Sequence, residues 1–357
     1  MAIDPHGRRR LLLTAAAALA VPQALRAAPQ RGATLAAAFD RDGRSWLGLL
    51  REQDAQLRLD AALELPTRAH GLLPDGRGAL LAVARRPGDW LLRWTPSLGS
   101  GPDALQWQWI EADRAFNGHA LLDGSGDRLY TSETDLASGQ GLVGVRDARS
   151  LVKLDEWPTK GMDPHALLWD AAGRLIVANG GVPTQPETGR VKRNLDRMDS
   201  SLVRIDSRSG RVDTQWRLSD RRLSLRHLAR QDGTVAVALQ AEHDDPAERA
   251  AAPVLALLDD DGLRSVAAPV ALAGYGGDIC ATDRGFAISC PRAHGVAFVD
   301  HGGLWRGFLP APRACALARN DRTLWAGGGA ALCVGGDPRT LEIDPSCALD
   351  NHWAWWR

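Results

Sequence analysis

The chain has 357 residues, of which 43 are Lys or Arg and 43 are Asp or Glu, so its formal net charge is zero. This balance, together with 45% hydrophobic residues, excludes an intrinsically disordered chain and a basic nucleic-acid-binding protein. The 37 glycines and 20 prolines favour β-structure broken by frequent turns, and the 13 tryptophans are expected to act as packing anchors.

The N terminus has the pattern of an export signal. Three consecutive arginines from Arg8 precede a leucine run and an alanine-rich apolar stretch, as in twin-arginine (Tat) signals. Ala27 and Ala28 offer small residues for cleavage. The apolar stretch is shorter than the roughly 20 residues of a membrane span, and no later segment reaches that length. We expect a signal peptide over 1–28 and a soluble periplasmic protein over 29–357, with a buried N-terminal helix as the alternative.

Five cysteines follow the predicted signal, and an odd number leaves at least one unpaired. Cys280 and Cys290 flank a turn signal at 283–285, so a disulfide between them across a hairpin is one expectation in an oxidising compartment. The alternative is that the cysteines are small buried residues.

A unit of about 47 residues recurs along the chain. Each copy has a ligand-type residue, a short apolar run, an Asp/Gly turn and a second apolar run, which predicts two antiparallel strands. The ligand-type residues that open the copies are His70, His119, His165 and His227, with Asp278 and Cys315 in two weaker copies. A further copy over 35–50 lacks such a residue.

A third apolar run follows each hairpin, for example over 90–94 and 201–205, so each unit has room for four short strands. This pattern is typical of a propeller blade, and seven units predict an all-β, seven-bladed β-propeller in a single domain. The segment 348–356 has the pattern of a strand that can pair only with the first blade. We therefore expect the N- and C-terminal strands to close the ring. A six-bladed ring and a pair of β-sandwiches are the alternatives.

The first strand of each propeller blade lines the central channel, so the residues that open the repeats are expected to converge around the axis. His352 follows Cys315 at a spacing within the range of the repeat and joins this ring. Imidazole, carboxylate and thiolate groups bind Cu, Fe or Zn. The predicted metal ligands are His70, His119, His165, His227, Asp278, Cys315 and His352. A purely architectural role for the histidines, or an acid/base role for one of them, is the alternative.

The second strand of each repeat returns to the face where the first strand begins, and it ends in polar residues. We expect these residues to orient the imidazoles or to bind an anion. They are Arg85, Arg86, Glu133, Asn179 and Gln240. The long charged loop 182–199 is attached to the same face, and its Arg190 is a further predicted contact for an anionic ligand or a partner. The alternative for this loop is a solvated flap.

Eight short segments, in order over nearly the whole mature chain, resemble one bacterial family. They are 67–71, 84–88, 117–119, 163–165, 178–181, 194–198, 224–228 and 350–352. The resemblance is to domain-of-unknown-function family 1513, of twin-arginine-exported, periplasmic, propeller-like proteins. It implies a genomic context beside iron-uptake components, such as imelysin-like lipoproteins and di-haem peroxidase-like proteins, but no activity. The chain has Ala120, Ala166 and Gln185 where the family pattern has Gly, Glu and His, so part of any metal site would be lost.

The first functional hypothesis is a periplasmic binding or accessory protein in metal handling, which holds a transition metal or ferric chelate at a histidine-ringed channel mouth and has periplasmic iron-uptake proteins as partners. The second is a protein-interaction scaffold without metal, which docks through Arg85, Arg86 and the loop 182–199. The third is a propeller hydrolase, lactonase or quinoprotein. It is favoured least, because the chain lacks a Gly-x-Ser-x-Gly elbow, a His-Glu-x-x-His pair and a repeated Trp docking motif. We therefore expect no catalytic residues, no nucleic-acid partner and no membrane span.

Overall fold

The computed structural model describes residues 32–183, 194–320, 323–328, 331–334 and 339–356. The predicted signal peptide over 1–28 lies outside these residues, and so do Gln185 and Arg190. Residues Ala33–Arg357 form one compact unit. Across the described part of the chain, no helix is both long and apolar enough to cross a bilayer.

Short antiparallel strands joined by tight turns make up most of this unit. The opening strands are β1 (Thr34–Arg41), β2 (Arg44–Gln53) and β3 (Gln56–Leu65). Five four-stranded sheets of consecutive strands follow. The first comprises β4 (Ala69–Pro74), β5 (Leu80–Ala84), β6 (Trp90–Trp94) and β7 (Leu105–Trp109). The second comprises β8 (Arg114–Leu122), β9 (Arg128–Asp135), β10 (Gly141–Asp147) and β11 (Lys153–Pro158).

The third sheet comprises β12 (Pro164–Trp169), β13 (Leu175–Asn179), β14 (Ser201–Ile205) and β15 (Val212–Trp216). The fourth comprises β16 (Leu223–Gln231), β17 (Thr234–Ala241), β18 (Leu255–Asp259) and β19 (Gly262–Val266). The fifth comprises β20 (Ile279–Thr282), β21 (Gly285–Cys290), β22 (Gly295–Val299) and β23 (Trp305–Pro310). The last strands are β24 (Ala316–Arg319), β25 (Leu324–Gly327), β26 (Ala331–Val334), β27 (Arg339–Ile343) and β28 (Ala348–Trp355). A short helix α1 (Pro246–Ala251) interrupts the fourth sheet.

The chain is therefore all-β with the arrangement of a β-propeller, as the repeat predicts. The predicted number of seven blades is wrong, because the structure has six sheets. The sixth sheet has eight strands in the order β24-β25-β26-β27-β3-β2-β1-β28. Its two halves join where the outer strands β27 and β3 pair in parallel, at Glu342 with Gln56 and at Ile343 with Leu57.

The hydrophobic core lies between neighbouring sheets rather than at a single centre. The second strands, such as β5 and β13, are buried along their whole length because apolar residues cover both of their faces. One cluster packs Ile176 and Leu202 of the third sheet against Leu225 and Leu239 of the fourth. Each such side chain stabilises the fold by about 1.5–3 kcal/mol.

The disulfide between Cys280 and Cys290 is not formed. Both cysteines are free, and the register of β20 with β21 places Cys280 opposite Ala287. Cys290 lies at the far end of β21, where it pairs with Gly295 of β22 instead. The register therefore places the two cysteines at different positions along the sheet.

Candidate functional site

Five histidines lie on innermost strands, each where the regular strand pairing is interrupted. The strand β4 pairs with β5 at Ala69 and again from Leu72, which leaves His70 between the two registers. The same interruption occurs at the other four histidines, namely His119 in β8, His165 in β12, His227 in β16 and His352 in β28. An irregularity of the β-bulge type re-aims the side chain at that position. Local geometry thus turns all five imidazoles to one point.

A glycine gives one pair of these histidines the room to approach. Gly118, directly before His119, has a φ of +100°, which L side chains rarely adopt. A Cβ built there would lie 2.6 Å from Cδ2 of His70. Gly118 therefore allows His70 and His119 to pack with ring centroids 4.9 Å apart.

The five imidazoles form one cluster. Nε2 of His165 lies 3.3 Å from Nε2 of His119 and 3.0 Å from Nε2 of His227. The ring centroid of His352 lies 4.4 Å from that of His70 and 4.6 Å from that of His227. One ligand nitrogen from each of His70, His119, His227 and His352 falls within 4.8 Å of the others. We call these four residues and His165 the histidine cluster.

Four imidazoles of the cluster favour the neutral form. Burial, reinforced by the charges of neighbouring groups, holds the pKa of His70, His119, His165 and His227 well below its ordinary value of 6.5. Nδ1 of His70, His165 and His227 has no hydrogen-bond partner among the described residues. Nδ1 of His352 lies 3.4 Å from Oδ2 of Asp278, whereas its Nε2 is buried without a partner. Neutral imidazoles with unused nitrogens are the form in which histidine binds metals.

The two non-histidine residues of the predicted ring occupy different places. Asp278 precedes β20, contacts His352 and accepts a hydrogen bond from the backbone N–H of Leu317 at 3.0 Å, so it orients an imidazole rather than joining the cluster. Cys315 precedes β24 and lies outside the group of ligand nitrogens. Burial raises the pKa of its thiol to about 12, which keeps it protonated and a poor metal ligand.

Arginines and two aspartates lie beside the cluster. Asp163, whose side chain is 2% exposed, pairs with Arg86 through Oδ1 and with Nη1 of Arg226 through Oδ2, the latter at 2.8 Å. Asp350 pairs with Arg68 at 2.7 Å and with Arg85 at 3.7 Å. These pairs hold four guanidinium groups, of which those of Arg85, Arg86 and Arg226 lie at the edge of the histidine cluster.

A small cavity of about 30 Å³ separates the histidines from the arginines. Its lining comprises His70, His165, His227, Arg85, Arg86, Arg226, Gln240, Tyr275, Gly277 and Asn351. This volume holds one ion or a few small atoms, since one water needs about 10–15 Å³.

Comparison with known protein families identifies this arrangement of motifs. Residues 63–356 match the family described as "Protein of unknown function (DUF1513)". The chain belongs to the DUF1513 family. The family resemblance found in the sequence is thereby confirmed, and the histidine cluster lies within the matched part of the chain. A search of curated proteins finds no match.

Solved structures share the fold at low identity. Hydrazine synthase of Kuenenia stuttgartiensis is 12% identical and has a TM-score of 0.59, with 82% of this chain and 92% of that chain covered. Apo AztD from Citrobacter koseri is 9% identical with a TM-score of 0.52, over 91% and 98%. A functionally unknown protein from Desulfotomaculum acetoxidans DSM 771 is 11% identical with a TM-score of 0.51, over 88% and 90%. At this identity the likeness shows the fold alone.

Glu133, a predicted ligand-binding residue of this DUF1513 protein, belongs to a buried ion network within the second sheet. Its carboxylate is 0% exposed and lies 2.7 Å from Nη2 of Arg146 and 2.8 Å from Nζ of Lys153. Thr131 donates a hydrogen bond to it at 2.6 Å. Glu133 does not line the cavity beside the histidines. Its partners indicate a structural role.

We expect Glu133→Gln to lower the free energy of unfolding by about 2 kcal/mol, because Arg146 loses its anionic partner inside the sheet. The loss is moderated because Lys153 keeps Glu111 and Glu156 as partners. Urea denaturation measures the change. Metal content should stay at the wild-type value, and a loss of bound metal in the folded variant would instead return Glu133 to the site.

The other predicted polar residues fall into two groups, those with a structural role and those that line the cavity. The amide of Asn179 is buried and donates hydrogen bonds to the backbone oxygen of Thr159 and to Oγ of Ser201, so it supports the third sheet. Gln240 lines the cavity, as do Arg85 and Arg86. Arg190 lies outside the described residues.

Sequence reasoning missed four residues of the cavity wall and its support. They are Asp163, Arg226, Tyr275 and Asn351. Three of them stand within two residues of a cluster histidine, and this adjacency was the available signal. A sequence search for metal-ligand residue types does not select an Arg or Asn beside a histidine. Only the fold shows that a bulge turns such neighbours toward the same cavity.

Proposed function

We propose that this DUF1513 protein binds one transition metal ion at the histidine cluster and acts as a periplasmic binding or accessory protein in metal handling. The observation that carries the proposal is the convergence of imidazoles from five strands, with Nε2 of His165 3.0 Å and 3.3 Å from two neighbouring Nε2 atoms. Isolated architectural histidines would each bond to a nearby backbone group. These five face one another instead.

Hydrogen bonding within the cluster cannot satisfy these nitrogens. Nε2 of a neutral imidazole carries either one hydrogen or one lone pair, so His165 completes a hydrogen bond with only one of its two Nε2 neighbours. The remaining lone pairs face one another in a desolvated space, which is unfavourable. A cation that accepts several lone pairs at once removes this cost.

The spacing supports a metal in that role. A metal about 2.0–2.1 Å from each nitrogen of a tetrahedral set separates those nitrogens by about 3.3 Å. The contacts of His165 with His119 and His227 lie close to this value. Imidazole nitrogens suit Zn, Cu and Fe, whereas Ca²⁺ and Mg²⁺ select oxygen ligands. We therefore propose one of Cu, Fe or Zn as the bound ion.

The position of β28 supports closure of the ring by the terminal strands. The strand β28 pairs with β1, placing Trp353 opposite Ala37, and it also contacts β4, which carries His70. One hydrophobic cluster packs Leu35 and Leu57 against Trp325. We propose that β28 closes the propeller ring through these contacts.

Export to the periplasm and iron-uptake proteins as partners belong to the same proposal. They are supported by the arginine-led N-terminal segment and by the family resemblance. The family pattern differs from this chain at Ala166 and Ala120, yet neither position falls on a cluster histidine. All five imidazoles are therefore kept.

The proposal is tested by metal analysis of protein purified without a chelating column, followed by titration with Zn²⁺, Cu²⁺ and Fe²⁺. We expect near-stoichiometric binding of one of these ions. His227→Asn is expected to weaken it by at least about tenfold, the effect typical of disturbed metal-site residues. The matched control is His294→Asn, which makes the same change at an exposed histidine outside the cluster.

Two results would contradict a metal-binding function. One is the absence of metal from the folded wild-type protein together with no binding of any added ion. The other is equal affinity in His227→Asn and His294→Asn, since a metal held by the cluster must respond to the first change and not to the second.

A further inference from the structure

We propose that a small planar oxyanion binds in the cavity beside the histidine cluster, held by Arg85, Arg86 and Arg226. The proposal deepens the metal function and rests on it in one respect, because the anion would lie beside the metal held by the histidine cluster. The ligand class is a carbonate or the carboxylate group of a small organic acid. The small cavity of about 30 Å³ favours a ligand of this size.

Charge is the first argument. The cavity is lined by three guanidinium groups. Three carboxylates, Asp163, Asp350 and Glu242, act on four arginines once Arg68 is included. A bound metal cation would add further positive charge to this unbalanced site. A small anion that contacts both the metal and the guanidinium groups offsets that charge.

Unused donors are the second argument. Arg226 is 1% exposed, and its Nε and Nη2 have no hydrogen-bond partner among the described residues, although Nη1 is held by Asp163. Buried donors of this kind are rare in proteins, because each one left without an acceptor costs free energy.

Arg85 is the guanidinium most available to a ligand. It lies 3.7 Å from Asp350, a carboxylate that is already held at 2.7 Å and 2.9 Å by two nitrogens of Arg68. A planar guanidinium recognises a carboxylate or carbonate through two parallel hydrogen bonds. Gln240, Asn351 and Tyr275 also line the cavity and carry further donor groups.

The test is calorimetric titration of the metal-free full chain with sodium bicarbonate, with sodium acetate and with sodium chloride at equal ionic strength. We expect saturable binding of bicarbonate, acetate or both, and none of chloride. The first two arms separate the two sources of the oxyanion. Equal heats in all three arms, or none in any, would overturn the proposal.

A pair of variants assigns the binding to the cavity. Arg85→Gln is expected to weaken oxyanion binding about tenfold, the effect of losing a charged hydrogen-bond donor. Arg44→Gln makes the same change at an exposed arginine that pairs with Glu64 and does not line the cavity, and it should keep the wild-type affinity. Arg85→Lys retains the charge in a more conservative change and should show intermediate affinity. Equal weakening by Arg44→Gln and Arg85→Gln would overturn the assignment.

The metal is then added as a separate step. Zn²⁺ affinity of the wild type should rise in the presence of the bound oxyanion, and this rise should be absent in Arg85→Gln. If no metal binds but the metal-free protein takes up the oxyanion through Arg85, the proposed metal function fails while the anion site stands. If metal binds but neither oxyanion does, the anion site alone is refuted.

Discussion

Replacing Asp163 by Asn is expected to lower the free energy of unfolding by about 3–5 kcal/mol, the cost of breaking a buried ion pair on one side. Asp163 lies between two guanidinium groups, and the side chains of Asp163 and Arg226 are 2% and 1% exposed. Asn can still accept a hydrogen bond through its oxygen, but its NH₂ group then faces the second arginine. Two hydrogen-bond donors then face each other at a buried site.

The change to Asn removes the charge of Asp163 and preserves its backbone conformation, so the two effects are separated. Asp163 has a φ of +53°, a left-handed conformation that Asn tolerates nearly as well as Asp. Urea denaturation of the metal-free protein gives the difference. The control is Glu64→Gln, which breaks the exposed pair with Arg44 and should cost less than about 1 kcal/mol. Similar losses in the two variants would mean that the pair at Asp163 is not a desolvated one.

The repeat in the sequence locates the histidines well, because a propeller converts a periodic position into a ring around an axis. His70, His119, His165 and His227 each open a repeat, and all four meet at one point. What periodicity cannot supply is the irregular register that turns them inward. Pairing is interrupted at these histidines and at His352, but not along β20 or β24, which pair regularly with their neighbours. Asp278 and Cys315 precede those regular strands, and for this reason they do not join the cluster.

The number of sheets was beyond the reach of the sequence for a different reason. Strand-by-strand patterning predicts the four strands of each unit, and the β-propeller arrangement follows from their repetition. The parallel contact of Ile343 with Leu57 joins two units through their outer edges. It depends on how closely two outer strands approach after folding, and hydrophobic periodicity within either strand carries no information about that distance.

The buried ion pairs show a further limit. Glu133 and Arg86 have the same appearance in the sequence, since each is a charged residue near the end of a second strand. One is committed to Arg146 inside its own sheet, and the other lines the cavity. The partner of a charged side chain separates a structural role from a ligand-binding role. The partner of Glu133 lies 13 residues away in the sequence, and that of Arg86 lies 77 residues away.

Acidification of the metal-free protein from pH 7.5 to pH 5.5 is expected to reduce the free energy of unfolding sharply. Burial holds the pKa of His70, His119, His165 and His227 well below 6.5, so these residues stay neutral in the folded protein. In the unfolded chain they take up protons as the pH falls through about 6.5. The unfolded state therefore binds more protons, and stability rises with pH.

The stability contributed by the neutral cluster is thus present above pH 6.5 and is lost below it. Each histidine contributes a slope of up to about 1.4 kcal/mol per pH unit, so four histidines give at most about 5 kcal/mol per pH unit. Urea midpoints at pH 7.5, 6.5 and 5.5 measure the slope. His165→Asn should reduce this slope by the contribution of one histidine, up to about 1.4 kcal/mol per pH unit. The exposed-site control His294→Asn should leave the slope near the wild-type value. A stability that stays flat between pH 6.5 and 5.5 would show that the imidazoles can be protonated without opening the fold, and the cluster would then be accessible to water.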